Sequence, residues 1–398
     1  MTLLPTILQF VSAAAVIVAA GTLLTRFADA IAIISGLGRL LVGSVLLAAA
    51  TSAPELLVDL NAVRIGAPDL AVGDLAGSSL FNLLILAALD LSPRSRGRML
   101  SRTSVGHALS GTMSIVLTAM TALAILTAGA WTPTLAGVGI GSLAILTVFL
   151  LGVRLIFHDQ RLSAARLELV ESIAGATPSH PSSLLRPVIG FALATAAIVA
   201  AAPFMARSAD RLAELTGLAR SFLGTTLVAC CTSLPELVSA IAALRIGALD
   251  LAAGNVFGSN CFNMALLVPL DLAHPGSLLA SVSSVHVVTC LATIVVTGTA
   301  VAAQLYHRDR RTGLVEPDDL LIIVLVMGSL AAVHATTRNT PEKQPNPRSP
   351  CTPAPNPFTT SSARPVALAC RATSFHLRRN QAPPDSDRTA ANGRCRMI

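Results

Sequence analysis

The sequence predicts an all-α polytopic membrane protein with about ten transmembrane helices, arranged as two inverted five-helix repeats. Three observations support this fold class. The 398 residues are 53% hydrophobic and only 12% charged, with a mean hydropathy of +0.70, whereas a soluble domain carries about 25% charged residues. About ten apolar segments reach the ~20 residues that a helix needs to cross a bilayer. Finally, one stretch of about 40 residues occurs twice.

The duplicated stretch covers 43–82 and 224–263, at a constant offset of 181 residues. About half of the positions in the two copies are identical. The same offset pairs Arg26 with Arg207, so the repeat begins before its most similar part. An internal repeat of this length is the first guide to the architecture of a chain.

The predicted spans divide the chain into two halves of five. They lie near 6–27, 40–61, 70–89, 106–127, 136–157, 187–206, 222–243, 251–271, 284–303 and 319–336. Because five is odd, the second half enters the membrane from the opposite side, and an in-plane two-fold axis relates the halves, as in many secondary transporters. The predicted domains are a first repeat, a cytoplasmic connecting loop, a second repeat and a tail, at 1–157, 158–186, 187–336 and 337–398.

The predicted tail, from 337 onwards, differs in composition from the rest of the chain. Pro, Ser, Asn, Arg and Thr dominate it. A segment of this kind cannot bury enough apolar surface to offset the entropy lost on folding. We therefore expect the tail to be disordered and to carry no chemistry.

Basic residues in the loops predict the orientation of the chain. Arginines cluster in 93–102, 158–186 and 306–311, which fall on one side of a ten-span protein, and two loops on the other side hold no Lys or Arg. Loops rich in Lys and Arg are usually cytoplasmic. The basic loop at 207–220 is an exception to this pattern. We expect an integral protein of a bacterial inner (plasma) membrane with its N-terminus outside.

A short polar sequence interrupts a long apolar run in each copy of the repeat. It reads TSAPE at 51–55 and TSLPE at 232–236. Proline removes a backbone N–H and leaves a carbonyl of the preceding turn without its donor. Within a bilayer, such a carbonyl is tolerated where protein or a water-filled cavity serves it. A pair of interrupted helices at corresponding positions of two halves indicates a transporter's binding site.

Glu55 and Glu236 occupy equivalent positions in these sequences. A charge in mid-bilayer costs about 3 kcal/mol even on a lenient scale, and in an inverted pair the two glutamates converge near the midplane. The simpler interpretation is that each glutamate pairs with an arginine or a backbone group, but no Lys or Arg lies in the spans nearby. A bound cation or a proton remains to balance the charge.

The residue types around the glutamates predict a site for a hard cation. Carboxylate, hydroxyl, amide and carbonyl oxygens suit Ca²⁺ or Na⁺. The following span adds a Ser and an Asn at i and i+4, on one helix face; simple hydrogen bonding between helices is the alternative. The candidate metal ligands are Glu55, Glu236, Ser52, Ser233, Thr51, Thr232, Ser78, Ser259, Asn82 and Asn263.

The two TS-x-PE sequences, each followed by a motif similar to GN-x-x-GSN-x-FN, resemble the alpha repeats of the sodium/calcium exchanger family, within the cation/Ca²⁺ exchanger superfamily. The resemblance implies ten helices, alternating access and Na⁺-driven Ca²⁺ transport. It also implies that Glu55 and Glu236 are the central ligands and that Thr51 and Thr232 contribute backbone carbonyls. The serines and asparagines named above match positions that complete the cation sites.

The sequence departs from the family pattern in its acidic residues. Asp74 and Ser79 stand where Asn is usual, and both motifs end in Asn, at Asn82 and Asn263, where relatives often have one Asp. Asp59 lies one turn beyond Glu55 and has an alanine as its counterpart. Asp59 and Asp74 are therefore candidates for an additional cation or proton site.

Several classes of function remain open at this point. The leading hypothesis is a Ca²⁺/Na⁺ antiporter, and the nearest alternative is a Ca²⁺/H⁺ (or other cation/proton) antiporter. An intramembrane enzyme and a channel are remote alternatives, because neither a nucleophile–base pair nor a filter loop is visible; we expect no enzymatic activity. We expect no cofactor apart from the transported Ca²⁺ and Na⁺ or H⁺. The expected partners are inorganic cations and the lipid bilayer, with no nucleic acid and no evident protein partner.

Overall fold

The fold is described here from a computed structural model. It covers residues 3–92, 105–128, 133–174, 183–216, 231–306 and 317–339. These ranges are almost entirely helical, with one two-stranded antiparallel hairpin, in which Thr134 pairs with Gly139 and Leu135 with Val138. The predicted all-α fold class is confirmed.

The described part of the first half contains seven α-helices, a π-helical segment and the hairpin. In chain order they are α1 (Leu3–Ser35), α2 (Arg39–Leu41), the π-helical segment (Val42–Leu47), α3 (Ala48–Thr51), α4 (Ala53–Arg64), α5 (Pro68–Asp90), α6 (Val105–Thr127), β1 (Thr134–Leu135), β2 (Val138–Gly139) and α7 (Ile140–Ala174).

The described part of the second half follows the same plan. Its helices are α8 (Leu185–Thr216), α9 (Leu234–Arg245), α10 (Leu249–Ala265), α11 (Leu267–Ala273), α12 (Leu278–Ser281), α13 (Val285–Tyr306) and α14 (Pro317–Asn339). Both ends of α4 and α9, and the first residues of α5 and α10, are related by the sequence offset of 181. The repeated sequence therefore folds into repeated structure.

The helices have the length and hydropathy of membrane spans. Seven described spans meet both criteria, and an eighth is the pair 39–51 and 53–64, which is bent by 42° at the break between its members. The apolar part of α14, Asp319–Ala332, is shorter. The predicted span at 222–243 is described from residue 231 onwards only. The chain is an integral membrane protein.

Helix α10 is buried along most of its length and contacts helices of both halves. It packs against the π-helical segment so closely that a Cβ atom on Gly258 would lie 2.4 Å from the backbone of Ser44. A Cβ on Gly254 would lie 2.8 Å from the carbonyl oxygen of Leu40. Glycine at these two positions is what lets the two helix backbones touch.

The outer surface consists of long apolar helices. Leu8 and Val11 of α1 and Leu193 and Phe204 of α8 are each at least half exposed. Helices with an apolar exposed face belong in lipid rather than in water. The core that positions the site is thus surrounded by helices that contact the bilayer.

Some sequence predictions lie partly or wholly outside the described residues. The basic loop at 93–102 lies outside them, and so does the predicted tail apart from the three residues that end α14. The first part of the predicted connecting loop, 158–174, continues α7 as helix. The predicted domain boundaries remain predictions.

Candidate cation-binding site

The two polar sequences break their helices with the same backbone geometry. Ser52 has φ −88° and ψ 3°, and Ser233 has φ −86° and ψ 8°. Pro54 and Pro235 follow in the first turn of α4 and α9. Because proline has no N–H to donate, the carbonyl four residues before it loses its usual helical partner. Each break therefore offers a backbone oxygen to a ligand.

The two glutamates lie at equivalent places just after the breaks. Glu55 is in the first turn of α4 and Glu236 is in the first turn of α9, and each is about 1% exposed. A carboxylate at a helix N-terminus is favoured by the helix dipole. The stabilisation of a carboxylate by the helix dipole is small compared with the free-energy cost of burying a charge, so the dipole alone does not explain two buried acids.

Contacts between the repeats bring the two breaks together. Ser52 donates a hydrogen bond through Oγ to Oε1 of Glu236, with an oxygen–oxygen distance of 3.3 Å. Ser233 Oγ donates to Ser78 Oγ at 3.4 Å. Since Ser52 precedes Glu55 by three residues, the sequence-predicted acids of opposite repeats lie in one buried cluster. They face protein rather than lipid.

Helix α10 contributes polar side chains to this cluster. Thr51 donates through Oγ1 to Oδ1 of Asn255 at 3.3 Å, and the same oxygen lies 3.4 Å from Ser259 Oγ. The related contact in the other half is a hydrogen bond between Thr232 and the carboxylate of Asp74. The threonine of each break is thus held by the helix that follows the opposite break.

The two predicted asparagines lie further along the same helices. Asn82 donates through Nδ2 to Oδ1 of Asn260 at 3.0 Å, and Asn260 donates to the carbonyl of Ser79 at 3.1 Å. Asn263 is buried, and its Oδ1 has no hydrogen-bond partner among the described residues. The asparagines join α5 to α10.

Asn255 and Asn260 were not among the predicted site residues. A signal for them exists in the sequence, because they are the Asn positions of the GN-x-x-GSN motif and the counterparts of Asp74 and Ser79. The prediction used Asp74, which departs from the motif in the first copy, and did not include the two asparagines that keep the motif in the second copy.

Several buried oxygens of the cluster lack a hydrogen-bond partner in the described part of the chain. They are Glu55 Oε2, Glu236 Oε2, both carboxylate oxygens of Asp59, Asp74 Oδ2, Asn82 Oδ1 and Asn263 Oδ1. Arg39 forms an ion pair with Asp29, His107 contacts Asp250 and His286 contacts Asp69, and these three contacts lie elsewhere in the described part of the chain. An uncompensated buried charge costs several kcal/mol. The geometry therefore favours a bound cation or a proton at these oxygens.

The ligand set is dominated by neutral oxygens. Within the described ranges, no three His, Cys, Asp or Glu side chains are placed to hold one metal ion. A cation between Glu55 and Glu236 would complete its shell with hydroxyl, amide and backbone carbonyl oxygens. This donor set fits Na⁺ or Ca²⁺ and does not suit soft metals, which prefer thiolate or imidazole ligands.

Curated relatives that match the chain include an exchanger, an inner membrane protein and a putative antiporter. Sodium/calcium exchanger MaX1 of Methanosarcina acetivorans is 42% identical over 86 residues, which is 22% of this chain and 25% of that protein. Inner membrane protein YrbG of Escherichia coli is 29% identical over 250 residues, 61% of this chain and 72% of that protein. Putative antiporter CaxA of Alkalimonas amylolytica is 25% identical over 240 residues, 60% and 71% of the two chains.

Solved structures of the sodium-calcium exchanger NCX_Mj are similar in fold. One, soaked with 2.5 mM Na⁺ and 0.1 mM Ca²⁺, aligns with a TM-score of 0.61 at 17% identity and covers 83% of this chain and 99% of that one. The shared fold includes both halves.

The family described as "Sodium/calcium exchanger protein" matches residues 5–157 and 186–317. The match covers well over half of the chain and both copies of the repeat, so the resemblance of the two motifs to the alpha repeats is confirmed. The chain therefore belongs to the sodium/calcium exchanger protein family.

Proposed function

We propose that the chain is a secondary antiporter that moves Ca²⁺ across the membrane in exchange for Na⁺. The family and the fold are those of exchangers. The observation that carries the proposal is the pair of buried carboxylates, Glu55 and Glu236, at equivalent helix breaks of opposite repeats. Ser52 links the two breaks, and one oxygen of each glutamate has no hydrogen-bond partner among the described residues.

The proposed shell combines both glutamates with neutral oxygens. Ca²⁺ takes about six to eight oxygen ligands at ~2.3–2.6 Å, more than two carboxylates supply. The remaining ligands are the hydroxyls and amides near the breaks and the backbone carbonyls of the breaks, from Ser52, Ser233, Thr51, Thr232, Ser78, Ser259, Asn82 and Asn263. Two negative charges balance one Ca²⁺ or two Na⁺. Competition of the two ions for one set of ligands makes the transport an exchange.

Alternating access follows from the two inverted halves. In transporters of this kind, one repeat or bundle moves against the other around a site at the midplane. The break at Ser52, where the span bends by 42°, gives the first half a place at which a helix changes direction without losing a complete run of hydrogen bonds. The matching backbone angles of Ser233 support the same role in the second half. By the same proposal, the protein lies in a bacterial inner membrane with its N-terminus outside and its basic loops in the cytoplasm.

A second candidate is exchange of Ca²⁺ for protons. Asp59 and Asp74 favour this candidate. Both are carboxylates in the same repeat as Glu55, and their counterparts in the second repeat, Ala240 and Asn255, do not titrate. A carboxyl group that takes up a proton on one side and releases it on the other provides the counter-ion for Ca²⁺.

The test is ⁴⁵Ca²⁺ uptake into proteoliposomes that contain the purified protein. A Na⁺ gradient and a proton gradient are imposed in separate experiments. We expect uptake that depends on internal Na⁺ and stops when the Na⁺ gradient is abolished. Uptake driven by the proton gradient alone would select the second candidate. Uptake that needs no counter-cation would indicate a channel. If neither gradient moves Ca²⁺, both antiporter proposals are rejected.

A further inference from the structure

Asn82 carries a buried amide whose two ends differ in chemistry. The carbonyl oxygen of an amide can bind a cation, whereas its NH₂ group donates hydrogen bonds and cannot. Asn82 is 1% exposed and lies one turn after Ser78 on the same face of α5. Ser78 accepts a hydrogen bond from Ser233 at the break of the other repeat. Whether Asn82 can serve as a ligand therefore depends on which end of its amide is free.

The contacts of Asn260 decide this orientation. Asn260 of α10 is fully buried, and its Nδ2 lies 3.1 Å from the backbone carbonyl oxygen of Ser79. A backbone carbonyl oxygen accepts hydrogen bonds and never donates them. The NH₂ group of Asn260 therefore faces Ser79, because the reverse orientation would place two acceptor oxygens against each other. Oδ1 of Asn260 is then turned towards Asn82.

The orientation of Asn260 in turn fixes that of Asn82. Oδ1 of Asn260 is an acceptor and lies 3.0 Å from Nδ2 of Asn82. Asn82 therefore uses its NH₂ group in this contact. Its Oδ1 is buried and has no hydrogen-bond partner among the described residues. The backbone of Ser79 thus determines, through Asn260, that Asn82 offers an oxygen.

The first repeat does not orient Asn263, the counterpart of Asn82, in this way. The counterpart of Asn260 is Ser79, and its hydroxyl donates to the carbonyl oxygen of Leu75 in its own helix at 2.9 Å. A serine has no second polar atom that could hold a neighbouring amide in one orientation. The orienting contact is a feature of the Asn82 side of the site.

We propose that Asn260 is a positioning residue that holds the amide of Asn82 with its oxygen available to the transported cation. Asn260 acts through Asn82, because its Nδ2 is bonded to Ser79 and its Oδ1 to Asn82. This inference rests on the proposed function, in which Asn82 is one of the neutral ligands. Replacement of a residue that orients a metal ligand typically lowers metal affinity by about 10- to 100-fold.

The experiment is a double-mutant cycle on the purified full-length protein in detergent. The variants are Asn260→Ser, which copies the equivalent residue of the first repeat, Asn82→Asp, and both together. Equilibrium dissociation constants are measured for ⁴⁵Ca²⁺ and, separately, for ²²Na⁺. A carboxylate presents an oxygen whichever way it is turned, so the side chain introduced by Asn82→Asp needs no orienting partner.

The expected result is a strong coupling between the two positions. Asn260→Ser alone should weaken the binding of at least one of the two cations about tenfold or more. Added to Asn82→Asp, the same substitution should weaken binding by no more than about twofold, or strengthen it, because the carboxylate would otherwise meet the acceptor oxygen of Asn260.

Two results would overturn the inference and leave the exchanger proposal standing. One is an equal loss of affinity in both backgrounds, which would show that Asn260 only supports the packing of α5 against α10. The other is unchanged affinity of Asn260→Ser for both cations. Asn260→Ala is measured in the same cycle, and either variant that elutes as a single monodisperse peak is sufficient for the decision.

Further variants separate this inference from the proposed function. Glu236→Gln should lose the central cation; wild-type affinity in this variant, with the expected cycle, would reject the glutamate site and keep the role of Asn260. A wild type that binds neither cation would overturn both proposals. Asn61→Ser is the matched control, because it makes the same exchange at an exposed position of α4 and should bind as the wild type does.

Discussion

Ser52 and Ser233 are the residues at which the helix of each half is interrupted, just before the turn that carries the buried glutamate. Their backbone angles agree within about 5°, although different residues, Ala53 and Leu234, follow them. The proline two positions later accounts for the agreement, because its ring excludes a continuous helix through the preceding turn. At the scale of single residues, the site is a consequence of where proline and glutamate stand.

The first prediction concerns the two glutamates. Glu55→Gln and Glu236→Gln should each abolish ⁴⁵Ca²⁺ flux in proteoliposomes, because an amide of the same shape cannot balance the charge of the ion. Asp29→Asn is the matched control, since it removes a carboxylate outside the site and should transport at the wild-type rate. Wild-type flux from either glutamine variant would refute the ligand assignment.

Asp59 gives a second prediction. Protons compete with cations for carboxylate oxygens, so flux through the wild type should fall as the pH is lowered. The asparagine of Asp59→Asn takes up no proton, so the flux of this variant should fall less steeply with pH than that of the wild type. We expect the substitution to change the pH dependence of the flux more than its maximal value. The measurement is initial ⁴⁵Ca²⁺ uptake across a pH series. An identical pH profile in variant and wild type would count against any cation or proton role of Asp59.

At the scale of elements, the contact of α10 with the π-helical segment fixes the distance between the two halves. Gly258 of α10 meets the backbone of Ser44 directly. The π-helical turn widens the first half of the bent span at this contact, and insertions of this kind often occur at functional sites. The position of Ser259, one residue further on, depends on this close approach.

Gly258→Ala is the third prediction. The added methyl group would lie 2.4 Å from Ser44 backbone atoms, which cannot move aside as a flexible side chain does. We expect a destabilisation of about 1–3 kcal/mol, measured as a lower melting temperature in detergent. Gly298→Ala is the control, because the nearest atom to its new methyl group, Cδ1 of Ile115, is 4.0 Å away. Equal melting temperatures for the two variants would show that the contact is looser than the structure indicates.

Two histidine–aspartate pairs join the halves at the first turns of α5 and α10. His286 Nε2 lies 3.0 Å from Asp69 Oδ1, and His107 Nε2 lies 2.9 Å from Asp250 Oδ1. The two aspartates are counterparts in the repeat, and each lies in the first turn of its helix, α5 or α10. Each pair ties a helix that lines the site to the first turns of a helix from the other half.

The fourth prediction distinguishes these pairs. Asp250→Asn should lower the melting temperature more than Asp69→Asn. The side chain of His107 is 3% exposed and that of His286 is 13% exposed, so water replaces a lost contact less readily at His107. His107 Nδ1 already lacks a partner in the described part of the chain. A larger effect of Asp69→Asn would contradict this argument.

At the scale of the whole molecule, a symmetric framework holds an asymmetric site. The helix bounds and the breaks follow the repeat, whereas the acids at Asp59 and Asp74 do not. An inverted duplication supplies two equivalent ways of packing around one centre. We expect the carboxylates that are confined to the first half to make the two directions of the proposed alternating access chemically different.

The fifth prediction concerns the tail. Deletion of the residues after about 340 should leave ⁴⁵Ca²⁺ transport intact, because every proposed ligand precedes residue 264 and the family match ends at 317. The uptake rate should be normalised to the amount of inserted protein, as quantified in the purified proteoliposomes. Loss of transport by a stably inserted truncation would assign a role to the tail.

The sequence by itself determined the membrane class, the repeat and the positions of both breaks. These features are local, because the hydropathy of a span, the effect of a proline and a repeated motif each depend on residues that are close together in the sequence. The sequence left open whether the predicted connecting loop is an interfacial helix or a plain linker, because a helix with polar residues and a loop differ little in composition; the structure extends α7 to Ala174.

Only the tertiary structure decided which residues meet. Ser52 binds the glutamate of the other repeat, Thr51 binds Asn255, and Asp74 contacts Thr232. Each of these contacts joins residues that are between 158 and 204 positions apart in the chain. Such contacts are set by the close packing of glycine-containing helices, which no single segment specifies. The motif predicts the kinds of oxygen that are present, and the packing selects the oxygens that face the same point.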